Sequence, residues 1–141
     1  MFLHKLGCRV HGCHPDLGRL LLRLALGSVF VAHGWMKLSD LGAANGFLMK
    51  LGMPNGTGAF VGAVEFFGGI AVILGAYANV AAALLAAVMV GAIALVKGSK
   101  GFVGGYEFDL TLLLAALALM KLGAGRLSVD GKNGGCSCGG C

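Results

Sequence analysis

The chain has 141 residues and a formal net charge of +5, yet only 12% of its residues are charged and 57% are hydrophobic. Soluble domains average about 25% charged residues, and the mean hydropathy here is +0.86. This composition excludes an ordinary soluble enzyme and predicts a protein of the lipid bilayer. The basic charges are spread along the chain without an aromatic platform, so we expect contact with anionic lipid and no nucleic-acid partner.

Four apolar segments follow one another along the chain, at residues 17–38, 58–77, 80–96 and 106–123. Each is about as long as a helix must be to cross a ~30 Å hydrocarbon core. They predict an all-α fold, a transmembrane four-helix bundle. The predicted organisation is an N-terminal arm (1–16), a membrane domain (17–123) and a Gly/Cys-rich C-terminal tail (124–141).

The link between the first two spans has a helical pattern of its own. Within residues 41–51, apolar side chains recur at helical spacing opposite Asp40, Asn45 and Lys50. This pattern predicts a short amphipathic helix on the membrane surface. We expect this helix to cover a cavity mouth and to act as a lateral gate for a lipid-soluble ligand.

The lysines and arginines are distributed unequally between the two sides of the membrane that four spans define. Seven of the eleven lie on the side of the two termini, and four lie on the other side. The positive-inside rule then predicts cytoplasmic termini. Because Arg23 and His33 interrupt the first apolar run, we interpret that run as a retained helix of a multi-pass inner (plasma) membrane protein.

Glu65 is the sole formal charge within residues 58–77. Gly58, Gly62 and Gly69 share its stripe of the predicted helix, and small residues mark the surface where another helix approaches. We expect Glu65 to face the bundle interior, since exposing a carboxylate to lipid costs at least ~2.5 kcal/mol. It is either a structural, hydrogen-bonded glutamate or a group that handles protons or faces a ligand.

Other polar residues gather at the same end of the predicted bundle. His33 and Lys37 are i, i+4 neighbours near the end of the first span, and Glu107 and Asp109 open the fourth. Together with Glu65 they predict a cavity that could meet quinone or pass protons. The candidate catalytic residues are Glu65, His33, Lys37 and Glu107. The alternative is that Lys37, Glu107 and Asp109 are ordinary interfacial groups.

All five cysteines lie outside the predicted spans, together with three of the four histidines. Thiols and imidazoles within reach of one another suit Zn²⁺, copper or an Fe–S cluster. The alternatives are thiol redox chemistry or acylation, or an arm whose cysteines have no role. The predicted metal ligands are Cys8, His11, Cys13 and His14 of the first arm and Cys136, Cys138 and Cys141 of the tail.

Residues 21–130 resemble the DoxX family of small four-helix membrane proteins. The resemblance rests on the stretches LRLALGSVFVAHGWMKL, NGFLMKLGMP, GAVEFFGGIAVILG and GYEFDLTLLLAALALMKLGAGRLSVD. It implies a four-helix bundle and an association with membrane redox chemistry, since relatives include the DoxD-type subunit of thiosulfate:quinone oxidoreductase. The polar landmarks that it carries over are Lys37, Glu65, Glu107 and Asp130. Asn79 departs from the family pattern, in which a basic residue often follows the second span.

Three functional hypotheses follow. The first is a DoxX-like subunit of a quinone- or thiol-linked redox assembly with a Cys/His metal or Fe–S site at the cytoplasmic face. The second is a membrane protein that handles a soft metal ion. The third is a non-catalytic scaffold in a larger membrane complex. All three imply other membrane or redox subunits, or further copies of the chain, as partners.

Overall fold

The computed structural model of the protein describes residues 15–133, and these residues form helices and turns with no strand. The helices are α1 (Pro15–Ser39), α2 (Leu41–Lys50), α3 (Thr57–Leu74), α4 (Ala78–Gly91), α5 (Glu107–Leu122) and α6 (Val129–Asn133). The stretches long and apolar enough to cross a membrane are Asp16–Ser39, Thr57–Leu74, Ala78–Lys100 and Phe102–Leu122. The predicted all-α bundle with four spans is therefore confirmed.

The predicted short helix between the first two spans is also present, as α2. Asp40 caps its first turn, because the Asp40 side chain accepts a hydrogen bond from the backbone N–H of Ala43 at 2.9 Å. Asn45 then joins α2 to α3, because its Oδ1 accepts hydrogen bonds from the N–H groups of Gly58 at 2.9 Å and Ala59 at 3.2 Å. These donors belong to the first turn of α3, where a helix leaves its N–H groups unpaired.

Glycines bring α1 and α3 into close contact. A Cβ atom added to Gly69 would lie 2.8 Å from the carbonyl oxygen of Gly27, and one added to Gly62 would lie 2.9 Å from the Cβ of Lys37. The predicted stripe of Gly58, Gly62 and Gly69 is buried throughout. Small residues therefore let these two backbones approach one another, as they do in many membrane helix pairs.

The apolar core joins this pair of helices to α4 and α5. Phe30 of α1, Val72 of α3, Leu85 of α4 and Leu119 of α5 are all 1% exposed or less. The turn from α3 to α4 is tight, as predicted, and Gly75 takes a left-handed conformation in it with φ of 68°. Because the turn is short, α3 and α4 are antiparallel neighbours.

Arg23 closes the end of the bundle at which α1 begins and α5 ends. The prediction treated Arg23 as one of several basic charges near the start of α1, but the residue is only 1% exposed. Its guanidinium donates to the carbonyl oxygens of Val72, Ile73, Ala124 and Leu127 at 2.5–3.0 Å. It thereby supplies donors to the end of α3 and holds the first residues of the predicted tail against the bundle.

Candidate functional site

A cavity of about 600 Å³ lies at the end of the bundle that carries α2. Phe47 and Leu48 of α2 and Met53 of the following turn contribute to one side, and most of the remaining wall comes from the membrane-spanning helices. Most of the lining is apolar. The polar and charged side chains that line the cavity include His33, Lys37, Glu65, Lys97 and Asp109.

Glu65 and Lys37 form an ion pair in this cavity. Glu65 is 3% exposed, and its Oε2 accepts a hydrogen bond from the Lys37 ammonium group. Gly62, one turn earlier in α3, lies against the stem of Lys37 and leaves room for it. The predicted burial of Glu65 and its contact with a polar partner on the first helix are confirmed, whereas its catalytic role stays a prediction.

Lys97 and Asp109 form a second ion pair on another part of the wall. The Lys97 Nζ lies 2.6 Å from Asp109 Oδ2, and the Asp109 side chain is 9% exposed. Asp109 stands in the first turn of α5, while Lys97 ends the π-helical segment Ala92–Lys97 that continues α4. The two charges therefore meet across the glycine-rich link between the last two spans.

The ammonium group of Lys97 lies within hydrogen-bond distance of the buried Asp109 carboxylate and compensates its charge. The Lys37 ammonium does the same for Glu65. One cavity thus holds two ammonium–carboxylate pairs.

His33 also lines the cavity, beside α5. Its ring centre lies 6.3 Å from that of Phe108, at an interplanar angle of 46°. The imidazole therefore borders the space that the two ion pairs share. The structure brings together His33, Lys37 and Glu65 as the sequence predicts, and it leaves their chemical roles as predictions.

Glu107 does not line the cavity, which corrects its predicted position. Its Oε1 instead accepts a hydrogen bond from the N–H of Gly104 at 3.0 Å. Gly104 has a left-handed backbone with φ of 73°, in the kinked segment that precedes α5. Glu107 therefore stabilises this link, because its carboxylate pairs with the nearby backbone donor.

Lys97 is the cavity residue that the sequence reasoning missed. That reasoning counted Lys97 only as a charge on the side opposite the termini. A sharper signal was available, since a lysine that ends the third span and an aspartate that opens the fourth must lie at the same end of the bundle. The opposite charges on the two sides of a short link could have predicted their pairing.

Asp130, carried over by the family resemblance, lies at the other end of the bundle. Its Oδ2 accepts a hydrogen bond from the N–H of Ala78 at 3.1 Å, and its own N–H donates to the carbonyl of Gly75 at 3.0 Å. Ala78 is the first residue of α4, so Asp130 supplies an acceptor where that helix lacks one. Asp130 therefore makes a structural contact at the opposite end of the bundle from the cavity.

The predicted metal ligands fall outside the described residues. They are Cys8, His11, Cys13, His14, Cys136, Cys138 and Cys141. Within residues 15–133 no group of three or more His, Cys, Asp or Glu side chains could hold a metal ion. The metal site therefore stays a prediction.

Comparisons with known proteins agree with a membrane protein of the predicted family. The DoxX family model matches residues 18–98, a stretch that contains Lys37, Glu65 and Lys97. A Bacillus subtilis protein named "Putative oxidoreductase CatD" is 33% identical over 115 residues, which are 82% of this chain and 86% of that protein. An uncharacterized membrane protein of Mycobacterium tuberculosis is 35% identical over 129 residues, with 79% of this chain and 78% of the relative covered.

No solved structure matches the chain. The family model covers more than half of the 141 residues, and the Bacillus subtilis relative extends the similarity over most of both chains. The four spans of membrane length agree with these matches. The chain belongs to the DoxX family of multi-pass membrane proteins.

Proposed function

We propose that the chain is a membrane subunit of a redox assembly and that its cavity binds a quinone-type ligand from the lipid phase. The observation that carries this proposal is an apolar cavity with two ammonium–carboxylate pairs in its wall. Its volume of about 600 Å³ falls within the range of ~300–1,000 Å³ typical of small-molecule sites. The name of the Bacillus subtilis relative, which contains the word oxidoreductase, favours a redox role over a purely structural one.

The chemistry of the wall suits such a ligand. The apolar lining can take up a ring and an alkyl tail, and the ammonium groups of Lys37 and Lys97 can donate to carbonyl oxygens. In the proposed assembly, a partner redox subunit supplies or removes electrons. Glu65 and Asp109 then hold or release the protons that accompany those electrons.

A binding titration tests this proposal. An alkyl-substituted benzoquinone is titrated into purified protein in lipid nanodiscs, and the dissociation constant is compared between variants. We expect saturable binding to the unchanged protein and a loss of about tenfold or more in Lys37→Met, because the charge-assisted hydrogen bond from the Lys37 ammonium contributes about 1.5–3 kcal/mol.

Lys100→Met is the matched control, since it makes the same chemical change at the same end of the bundle but at an exposed residue outside the cavity lining. It should bind the benzoquinone as the unchanged protein does. Absence of saturable binding to the unchanged protein would contradict the proposal. An equal loss of benzoquinone affinity in both variants would show that this loss does not depend on the residues that line the cavity.

We also propose that both termini are cytoplasmic, on the basis of the unequal distribution of lysine and arginine. All five cysteines lie in the two terminal arms, at positions 8, 13, 136, 138 and 141. An impermeant maleimide applied to intact cells should therefore leave the protein unlabelled, and permeabilisation should expose the thiols. Labelling of both arms in intact cells would reverse this orientation.

A metal site shared by the two arms is a second proposal, favoured by one contact. Asp16 Oδ1 accepts a hydrogen bond from the backbone N–H of Arg126 at 3.0 Å, so the last residue of the predicted arm is joined to the beginning of the predicted tail. Thiolates and imidazoles from both sides could then bind zinc, copper or an Fe–S cluster. Such a site could serve electron transfer or the handling of a soft metal ion.

Metal content and a visible absorption spectrum of untagged protein test the shared site. We expect bound metal in the unchanged protein and its loss when Cys136 and Cys138 are both replaced by serine. An iron–sulfur absorption band would distinguish a cluster from zinc. Protein purified under reducing, chelator-free conditions without bound metal would contradict this second proposal.

A further inference from the structure

Some residues that line the cavity are also exposed on the outside of the bundle. Phe60 of α3 is 69% exposed and Leu84 of α4 is 51% exposed, and both line the cavity. Phe30 of α1 and Leu112 of α5 line it too, but they are buried. The cavity therefore has a mouth between α3 and α4. Because Phe60 and Leu84 belong to membrane-spanning stretches, this mouth faces lipid.

The other side of the cavity, between α1 and α5, is crossed by a contact between side chains. The exposed lining residues on that side are His33 and Phe108, whose ring centres lie 6.3 Å apart. This separation is within the range of packed aromatic rings. A ligand group that left the cavity between α1 and α5 would have to displace this contact.

The space between α3 and α4 widens toward the end of the bundle that carries α2. Nearer their connecting turn the two helices pack closely, because a Cβ atom added to Gly68 would lie 3.1 Å from Cδ2 of Leu85. Farther along α4, a Cβ atom added to Gly91 would have no atom within 4 Å. Gly91 lines the cavity and lies on the same stripe of α4 as Leu84 and Val88, at i, i+4 and i+7.

We propose that the alkyl tail of the bound ligand leaves the cavity through the mouth between α3 and α4, and that Gly91 keeps this passage open. The inference rests on the proposed function of the same cavity and adds the class of ligand that it takes, a polar ring with a tail that remains in the membrane. The ring lies beside the ammonium groups of Lys37 and Lys97, and the tail lies between the two helices. A side chain at residue 91 would occupy the space that the tail needs.

Two probes separate the tail from the ring. One is a benzoquinone with a decyl tail, and the other is the same ring with a methyl group in place of the tail. Each probe is titrated into nanodisc-embedded protein, and its dissociation constant is compared between variants, so its own partition into the lipid cancels. We expect Gly91→Phe to weaken binding of the decyl probe by about tenfold or more and to leave binding of the methyl probe unchanged, because only the tail competes with the added side chain for space.

Two further variants complete the titrations. Gly91→Ala adds a single methyl group and should weaken binding of the decyl probe by about threefold, and it decides the outcome if Gly91→Phe does not fold. Gly18→Phe is the matched control, because Gly18 also has open space at its Cβ position but lies outside the cavity lining. It should bind both probes as the unchanged protein does. Loss of neither probe at residue 91, or an equal loss of both, would overturn the inference and leave the cavity proposal standing.

Photolabelling from the tail gives a second measurement that needs no variant. A diazirine in the middle of the decyl tail should label Phe60 and Leu84, and excess unlabelled probe should suppress these labels. Suppressible labels on Phe30 and Leu112 instead would place the tail inside the bundle and overturn the inference. Absence of both saturable binding and suppressible labels would remove the inference together with the proposed function.

Discussion

Arg23 shows how a charged side chain is accommodated within a membrane-spanning helix. Backbone carbonyl groups at the end of a helix lack partners, and in the membrane little water is available to provide them. Arg23 donates to two carbonyl groups at the end of α3 and to two in the segment after α5. A single guanidinium therefore ties three parts of the chain together at the end where α1 begins and α5 ends.

Replacing Arg23 with methionine should destabilise the protein. We expect Arg23→Met to lower the free energy of unfolding by at least ~2 kcal/mol, because each buried carbonyl left without a donor costs about 1–3 kcal/mol. The measurement is an unfolding curve in detergent micelles, followed by circular dichroism.

Arg19→Met is the matched control for this change. Arg19 lies one turn earlier and pairs with the partly exposed Asp16 at 3.2 Å, and ion pairs at the surface contribute little to stability. It should shift the unfolding curve much less. Equal shifts in the two variants would show that the four carbonyl contacts of Arg23 do not carry the stability assigned to them.

At the scale of helices, α2 is held in place over the cavity by the side chain of Asn45. Its two hydrogen bonds to the start of α3 act as a helix cap supplied from another element. This contact gives α2 a defined position while leaving its apolar residues, such as Phe47, beside the cavity. An opening of this contact would provide the lateral path that the proposed ligand needs.

Asn45→Ala should loosen α2. Loss of a capping side chain costs about 1 kcal/mol, which corresponds to roughly fivefold faster amide hydrogen exchange if α2 exchanges by detaching. Hydrogen–deuterium exchange over Leu41–Lys50 measures this change. Asn55→Ala, at an exposed asparagine in the following turn, is the control and should leave the rate unchanged. Unchanged exchange in Asn45→Ala would show that other contacts hold α2.

The contact between α1 and α3 gives a second prediction at this scale. Gly69→Ala should destabilise the bundle by about 1–3 kcal/mol, because a well-packed contact has no room for an added methyl group. The new Cβ would lie 2.8 Å from the carbonyl oxygen of Gly27. Gly18→Ala is the control, since a Cβ at Gly18 has no atom within 4 Å. Similar unfolding curves for the two variants would contradict the proposed role of the glycines.

For the whole molecule, the parts of the fold that depend on regular periodicity could be predicted from the sequence. The four apolar runs predicted the spans, and the spacing of Gly58, Gly62 and Gly69 predicted the buried face that carries Glu65. These features repeat over several helical turns, so many residues support the same prediction. The short helix α2 was predictable for the same reason.

The missed features depend on single contacts and on local backbone geometry. The partners of Arg23 are 49 to 104 residues away in sequence, and no local pattern indicates them. The position of Lys97 depends on a local change of helix geometry, which hydrophobic spacing does not encode. Glu107 was placed in the cavity because it opens the fourth span, but its carboxylate accepts a hydrogen bond from the backbone N–H of Gly104, three residues earlier.

Photoaffinity labelling tests most directly whether the cavity beside α2 binds a quinone-type ligand. A benzoquinone with a diazirine on its alkyl tail is activated in nanodiscs that contain the protein, and labelled residues are mapped by mass spectrometry. We expect labels on cavity residues such as Phe47, Leu48 and Val88, and we expect excess unlabelled benzoquinone to suppress them. Labels spread over exposed apolar residues such as Leu114 and Leu117, unaffected by the competitor, would contradict the claim.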